Sequence, residues 1–569
     1  MTKTFRTIAK LFSRHRGNAI DPDEIFLDST NLPEFDRSQF EGRIERPIPR
    51  RAIVMLASGF LLVCLTFIGR LWFLQIESGA IYAAVSEDNR LEHSSVFATR
   101  GVIYDRYGLE LASNSFQTTQ EGEETPVRLY SDIEGLAHVL GYVRLPRKDT
   151  SGEYYEYQST GQAGVEQIYD ASLQGVNGTK IVERGARGDV RSESTIEQPV
   201  NGKNITLSLD AELTGALHHA IKNVANEVHF EGGAGVMMDI ETGEIIALTS
   251  YPEYSSTILS RGKPAETIAG YLDDPRTPFL DRVVSGLYTP GSIVKPFLAL
   301  GALHENIISP EKQLYSSGAL IIPNPYFPDK PSVFRDWRAH GYVDMRHALA
   351  VSSDEYFYMV GGGYKDQEGL GISRIDHYMG LFGFGSLTGI ALSNESEGVV
   401  PTPAWKAENF DGEEWLLGNT YHTAIGQYGF QVTPIQMVRA IAAIGNGGKL
   451  LTPVFKKEDA GPAVVLPFTE SEYKVVRDGI RLSVLEGTAA ALNVSYVKMA
   501  AKTGTAELGA SKQLVNSWVI GFFPYEKPRY AFAVLMERGP RANLVGASAT
   551  FRRVLDWVSQ NRPEYLEIE

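Results

Sequence analysis

Several features are scarce in this sequence, and each scarcity excludes a class of protein. The 569 residues include a single cysteine, Cys64, so no disulfide can form within the chain. Basic residues number 54 against 69 acidic ones, and no basic face carries interleaved aromatic side chains, which argues against nucleic acid as a partner. We find no short-period repeat and no low-complexity tract. With 43% apolar residues, the composition indicates several folded domains instead.

Long apolar runs are also scarce, and the one that stands out predicts a membrane anchor. Residues 52–69 are uncharged, and with the following RLWFLQI the run reaches about 25 residues, enough for one tilted span. It follows about fifty other residues, so a cleaved signal peptide fits poorly. Positive charges precede it, at Lys3, Arg6, Lys10, Arg14, Arg16, Arg43, Arg46, Arg50 and Arg51. The positive-inside rule therefore predicts a cytoplasmic segment over 1–50, a single-pass helix over 51–76 and an extracytoplasmic remainder.

A serine three residues before a lysine occurs five times, and only one occurrence has a context suited to catalysis. The five pairs are Ser260/Lys263, Ser292/Lys295, Ser309/Lys312, Ser471/Lys474 and Ser495/Lys498. At Ser292 a Pro-Gly turn precedes the serine, and an apolar run that reads as a buried helix follows it. Residues three apart share a helix face, so the Lys295 amine is expected within reach of the Ser292 hydroxyl. Only a neutral lysine could remove that proton.

A second lysine motif explains how Lys295 could become neutral. Lys502 begins the string Lys502-Thr503-Gly504-Thr505, and a nearby cation lowers a lysine pKa by disfavouring the charged form. The small residues and Gly504 predict an edge strand that a peptide backbone can approach closely. We expect the backbone N–H groups of Ser292 and Thr505 to form an oxyanion hole, which commonly contributes about 3 kcal/mol.

The order of the motifs identifies a family. Ser292-x-x-Lys295, Ser352-Ser353-Asp354 and Lys502-Thr503-Gly504 follow one another as in penicillin-binding proteins and β-lactamases. The chain resembles class B penicillin-binding proteins of the elongation type, from about Arg51 to the C-terminus. The likeness extends to RGVIYDRYGLELA, AHVLGYV and GVEQIYD, although Tyr107 replaces the usual asparagine of the first segment. Asp354 favours the elongation type, because division-type relatives generally have asparagine there.

The resemblance implies a peptidoglycan D,D-transpeptidase of the cytoplasmic membrane, which serves cell-wall elongation and cell shape without a cofactor. Ser292 would be the nucleophile and Lys295 its base, with Ser352 shuttling a proton and Asp354 orienting Lys295 and the substrate. Lys502 and Thr503 would bind the terminal carboxylate of a stem peptide. β-Lactams would acylate the same serine, and a glycosyltransferase of the SEDS family is the implied membrane partner.

The expected fold is α+β in three parts: the membrane helix, a small pedestal over 77–200, and a penicillin-binding domain over 201–569. Relatives carry a head subdomain before AHVLGYV, whereas here residues 113–130 bridge that gap, so the head is expected to be reduced or missing. The segments GAGVMMDI, EIIALTS, NSWVIGFFP and RYAFAVLME predict an antiparallel sheet that helices cover. Among those helices, ALAVSSDEYFYMV reads as one element.

Other functions are weighed against specific residues. A Ser-His-Asp hydrolase would carry Gly-x-Ser-x-Gly, which is absent, and no Glu-x-x-x-Asn lies between Asp354 and Lys502 to support a common β-lactamase. A D,D-carboxypeptidase and a catalytically weak scaffold of the wall-synthesis machinery stay open. Asp336 and His340 have helical metal-ligand spacing, and some relatives bind zinc there with a cysteine. Ser353 occupies that cysteine's position, so we predict no metal.

Overall fold

The computed structural model describes residues 49–88, 91–118, 124–150, 154–184, 190–324, 326–327, 329–509 and 511–567. The segment predicted to be cytoplasmic therefore lies almost entirely outside the described residues. The chain divides into one unit that ends at Arg90 and another that begins at Leu91.

In the first unit, a helix coincides with the apolar run. It is α-helical over Arg50–Trp72 and π-helical over Phe73–Glu77, and another α-helix covers Gly79–Asp88. The span Arg50–Glu77 contains an 18-residue stretch with a mean hydropathy of 2.4, and no residue of that stretch is buried. At about 1.5 Å per residue it is roughly 40 Å long, which is enough to cross a bilayer once.

The second unit begins with the pedestal, which is built from small sheets and short helices. A three-stranded sheet consists of Leu91–Val96, Gly178–Arg184 and Val190–Glu197. A four-stranded sheet consists of Ile103–Tyr104, Glu110–Thr118, Glu124–Tyr130 and Ile205–Thr206, and two-stranded ladders pair Val143–Arg144 with Thr160–Gly161 and Arg147–Lys148 with Tyr154–Glu156. The helices are Ala137–Leu140, Gly164–Ile168 and Asp170–Leu173.

A hairpin occupies the stretch in which a reduced or missing head is expected. Glu110–Thr118 pairs with Glu124–Tyr130 as far as Thr118 opposite Glu124, so the polar segment QTTQEGEET is partly strand. The five residues at its tip, 119–123, are not among those described. The reduced head stays a prediction.

The catalytic part is built on a five-stranded antiparallel sheet, here called the central sheet. Its strands lie in the order Ile245–Tyr251, Gly232–Asp239, Tyr530–Pro540, Leu514–Phe523, Ala500–Leu508. The four segments predicted to form an antiparallel sheet are therefore strands of it. Ala500–Leu508, which carries the Lys-Thr-Gly motif, lies at one border of the sheet and is called the edge strand below.

Successive side chains of a strand point to opposite faces of the sheet. Because consecutive residues of the central strands are apolar, both faces are apolar and both are covered. In one strand, Ala531, Ala533 and Leu535 pack on one face, whereas Phe532 and Val534 pack on the other. Helices Ala211–Val228 and Ala547–Asn561 cover the second face, while Lys295–His304 and Pro434–Gly445 belong to the core of the first. The predicted layers of an α+β fold are confirmed.

The remaining elements are helices, 3₁₀ turns and two-stranded ladders. The other helices are Ser256–Arg261, Ala265–Asp273, Met345–Val351, Asp354–Gly362, Gly371–Leu381, Pro403–Asn409, Leu417–Ala424 and Glu470–Glu486, with 3₁₀ turns at Gly291–Val294, Lys457–Asp459, Ala490–Leu492 and Pro563–Tyr565. Three two-stranded ladders pair Leu314–Ser316 with Gly341–Val343, Ala319–Ile322 with Ser332–Arg335, and Lys449–Leu450 with Val464–Val465.

One predicted helix is divided in two. The segment ALAVSSDEYFYMV, read from sequence as one helix, covers the end of helix Met345–Val351 and most of helix Asp354–Gly362. Ser352 between them adopts φ 61° and ψ 42°, in the left-handed region. Ser353 then caps the second helix by accepting a hydrogen bond from Tyr356 N. The continuous helix was wrong because local hydrogen bonding by serine competes with helix propagation.

Candidate active site

The Ser292 segment forms a tight turn into a buried helix. Gly291–Val294 is a 3₁₀ turn, and the α-helix Lys295–His304 continues from it with Pro296 in its first turn. Gly291 has φ 58° and donates its N–H to Gly426 O at 3.0 Å. A Cβ at Gly291 would lie 3.0 Å from Thr505 O, so this turn rests directly against the edge strand.

Lys295 is buried and bonded to the second motif. Its Nζ donates to Asp354 Oδ1 at 2.6 Å, to Ser352 O at 2.9 Å and to Ser352 Oγ at 3.4 Å. The Phe357 ring centroid lies 5.4 Å from the same nitrogen. Ser292 is half-buried one helical turn away, and its hydroxyl has no hydrogen-bond partner within the described part of the chain. The amine therefore contacts Ser352 and Asp354 while the Ser292 hydroxyl is left unpaired.

Lys502 brings the third motif to the same serine. Its Nζ donates to Ser352 Oγ at 2.8 Å and to Thr503 O at 2.8 Å, and its side chain is fully buried. Burial is the largest cause that lowers the pKa of Lys502 well below its ordinary value, and the neighbouring Lys295 is the second. The Asp354 carboxylate raises this pKa, but by less. The Ser352 hydroxyl thus lies between two amines, and the pKa of one of them, Lys502, is lowered.

Gly504 permits the close contact between the edge strand and the Ser292 turn. A Cβ at this position would lie 2.8 Å from Pro290 O and 3.0 Å from Ile293 Cγ2. The sequence predicted that Gly504 allows a backbone to approach the edge strand closely. In the structure, the backbone of the Ser292 turn makes such an approach. As a result the backbones of Ser292 and Thr505 are neighbours, which is the arrangement that the expected oxyanion hole requires.

Thr503 has a partner that sequence reasoning missed. Its Oγ1 donates to Thr488 Oγ1 at 2.6 Å. Thr488 follows helix Glu470–Glu486, where a glycine and a threonine read as an ordinary helix end. No pattern in the sequence signals a hydroxyl contact between residues fifteen positions apart.

Asp336 supports the second motif through hydrogen bonds. Its Oδ2 accepts from Ser353 Oγ at 2.8 Å and from Glu355 N at 2.9 Å, while His340 Nε2 lies 3.5 Å from Oδ1. Asp336 and His340 are not in a helix, so their helical spacing was coincidental. A hydroxyl in place of a thiolate, already donating to the carboxylate, makes a poor set of zinc ligands. The absence of a metal stays a prediction.

Two domain families match this chain. The penicillin binding protein transpeptidase domain matches residues 233–556, and the penicillin-binding protein dimerisation domain matches residues 119–207.

Curated relatives and solved structures agree with these matches. Peptidoglycan D,D-transpeptidase MrdA of Haemophilus influenzae is 27% identical over 92% of this chain and 94% of its own length. MrdA of Escherichia coli K12 is 27% identical over 90% of this chain and 94% of its own. The crystal structure of Pseudomonas aeruginosa PBP2 in complex with WCK 5153 is 29% identical, with a TM-score of 0.67 over 83% of this chain and all of that one. PBP2 of Helicobacter pylori in complex with MreC has a TM-score of 0.68 and 25% identity over 83% of this chain and 99% of that one.

Proposed function

We propose, because the chain belongs to the penicillin-binding protein transpeptidase family, that it is a membrane-anchored peptidoglycan D,D-transpeptidase of cell-wall elongation. Relatives that align over almost their whole length carry the name peptidoglycan D,D-transpeptidase. The observation that carries the proposal is the pair of buried amines, Lys295 and Lys502, on either side of the Ser352 hydroxyl beside the Ser292 helix.

In the acylation step, Ser292 Oγ attacks the carbonyl carbon between the two terminal D-alanines of a stem peptide. The hydroxyl proton passes to a neutral Lys295, and the N–H groups of Ser292 and Thr505 stabilise the oxyanion. The C–N bond then breaks, and the departing amine takes a proton from Ser352, which regains one from Lys295. An ester of Ser292 remains.

The substrate itself can make Lys295 neutral. In the resting arrangement the Lys295 ammonium pairs with Asp354, and Lys502 is the amine with the lowered pKa. A substrate carboxylate beside Lys502 and Thr503 favours the charged form of Lys502. The proton for this change can come from Lys295 through Ser352, whose hydroxyl lies 3.4 Å from one amine and 2.8 Å from the other. Carboxylate binding thus activates the base.

The second half-reaction transfers the acyl group to an amine of a neighbouring stem peptide, which forms the cross-link and restores the Ser292 hydroxyl. A β-lactam would acylate Ser292 by the same attack on its ring carbonyl. Water as acceptor would give a carboxypeptidase instead, so analysis of the products separates these two activities.

The membrane helix supports a single-pass placement in the cytoplasmic membrane with the catalytic part outside. Arg50 and Arg51 begin the span, and further basic residues precede them. A peptidoglycan synthase complex that coordinates polymerization and crosslinking contains a similar chain, with a TM-score of 0.70 and 25% identity over 91% of this chain and 99% of that one. We propose a SEDS-family glycosyltransferase as the membrane partner on that basis.

Covalent labelling tests the proposal. Full-length protein in detergent is incubated with a fluorescent penicillin, and the modified peptide is mapped by mass spectrometry. We expect one modified peptide, containing Ser292, and no labelling of Ser292→Ala. Ser471→Ala, which removes the serine of another Ser-x-x-Lys pair, is the matched control and should label normally. Failure of the folded wild-type protein to react, or labelling of Ser292→Ala, would refute the assignment.

A further inference from the structure

A chain of three hydroxyl groups leads from the protein interior to the edge strand. Ser483 is fully buried on helix Glu470–Glu486, and its Oγ lies 3.4 Å from Thr488 Oγ1. Thr488 Oγ1 lies 2.6 Å from Thr503 Oγ1, the hydroxyl of the Lys-Thr-Gly motif. Each hydroxyl has one proton to donate and can accept as well, so the chain can be oriented in either direction.

The backbone holds the middle hydroxyl in place. Thr488 N donates to Ala350 O at 3.2 Å, two residues before Ser352. A Cβ at Gly487 would lie 2.1 Å from the same oxygen, so this close approach requires glycine there. Thr488 is therefore fixed against the segment that leads to Ser352 and, through its side chain, against the edge strand.

We infer that Thr488 is a positioning residue that orients the Thr503 hydroxyl toward the terminal carboxylate of the substrate. Without substrate, Thr503 donates to Thr488. A carboxylate only accepts, so on its arrival Thr503 donates to it, Thr488 donates to Thr503, and Ser483 donates to Thr488. Hydrogen bonds in such a chain strengthen one another, and the bond from Thr503 is assisted by the charge of the carboxylate. The inference rests on the proposed function and deepens it.

The test compares a ligand that has the carboxylate with one that lacks it. Second-order acylation rate constants are measured on the full-length protein for benzylpenicillin and for its methyl ester. Thr488→Val keeps the shape of the side chain but removes the hydroxyl. We expect it to slow acylation by benzylpenicillin about tenfold and to leave the ester nearly unaffected. Thr488→Ser should restore the rate, and Thr267→Val, on helix Ala265–Asp273, is the control that should change neither.

A double-mutant cycle tests whether Thr488 and Thr503 act together. If Thr488 acts through Thr503, Thr488→Val should have no further effect on acylation by benzylpenicillin in a Thr503→Val background. Equal slowing of the acid and the ester, or no slowing of either, would overturn the inference. These outcomes differ from failure of the proposed function, in which the wild-type protein is not acylated at all.

Discussion

At the scale of single residues, the charge of two lysines decides whether the proposed site can react. Both side chains are fully buried, but Lys295 has a carboxylate partner at 2.6 Å, whereas the partners of Lys502 are a hydroxyl and a carbonyl group. The sequence suggested that Lys502 supplies the cation that neutralises Lys295. In the structure, the pKa of Lys502 itself is lowered, by burial and by Lys295. Motif spacing could not reveal this difference, because it depends on which amine the aspartate contacts.

A lowered pKa of Lys502 predicts the direction of the pH dependence. Only neutral Lys502 can take the proton from Lys295, so acylation should accelerate as pH rises through a range below that of an ordinary lysine. Lys502→Arg, which stays charged, should abolish this rise and slow acylation about a hundredfold. Stopped-flow labelling between pH 5 and pH 10 measures both effects.

The control for this substitution is Lys498→Arg. Lys498 is exposed and pairs with Glu526 near the start of the edge strand. The pH profile of this variant should match that of the wild-type protein. An unchanged profile in Lys502→Arg would contradict the proposed proton transfer.

At the scale of secondary structure, the site depends on how closely the edge strand and the Ser292 turn approach each other. The apolar alternation, the Pro-Gly turn and the Lys-Thr-Gly string were enough to predict both elements. Their mutual contact could be predicted only in part. Gly504 indicated that some backbone comes close, but the identity of that backbone, Pro290 to Ile293, follows from packing across more than two hundred residues of chain.

Gly504→Ala tests this contact. The added methyl group would meet Pro290 O at 2.8 Å, so the strand and the turn must separate. We expect acylation to slow about tenfold or more, since small displacements of reacting groups are costly, and the free energy of unfolding to fall by about 1–3 kcal/mol.

Gly270→Ala is the matched control, because this glycine lies within a helix and a Cβ there would meet no atom within 4 Å. It should leave acylation unchanged and stabilise the protein by about 0.5–1 kcal/mol. Normal acylation by Gly504→Ala would show that the contact is not needed.

At the scale of the whole molecule, contacts between distant parts of the chain join the pedestal to the catalytic part. Tyr107, the residue that departs from the family signature, contacts the C-terminal end of the chain. Its hydroxyl lies 3.2 Å from Glu564 Oε1 and 3.4 Å from Tyr565 OH, and Arg562 lies 4.9 Å from its ring centroid. The sequence marked Tyr107 as unusual but could not supply its partners, which lie some 450 positions away.

A buried histidine at the same junction predicts how stability depends on pH. His138, on helix Ala137–Leu140, bonds through Nε2 to Pro278 O at 3.0 Å. Burial, helped by nearby Arg282, lowers the pKa of His138 to about 3. In the unfolded chain His138 therefore binds a proton as pH falls through about 6.5, whereas in the folded protein it stays neutral. The free energy of unfolding falls as pH drops through that value.

His138→Gln keeps an N–H donor near the position of Nε2 and removes the titration. Between pH 7 and pH 5 the wild-type protein should lose about 2 kcal/mol more stability than this variant. Urea unfolding of the full-length protein at the two pH values measures the difference. Equal losses in both proteins would mean that His138 is protonated in the folded state.

The left-handed conformation of Ser352 has a consequence for the second motif. In an unbroken α-helix each residue advances by about 100°, so side chains two positions apart point in nearly opposite directions. Ser352 and Asp354 nevertheless both contact Lys295 Nζ. Because the helix is interrupted after Val351, the side chains of Ser352 and Asp354 point toward the same atom, Lys295 Nζ. In a continuous helix they would point apart.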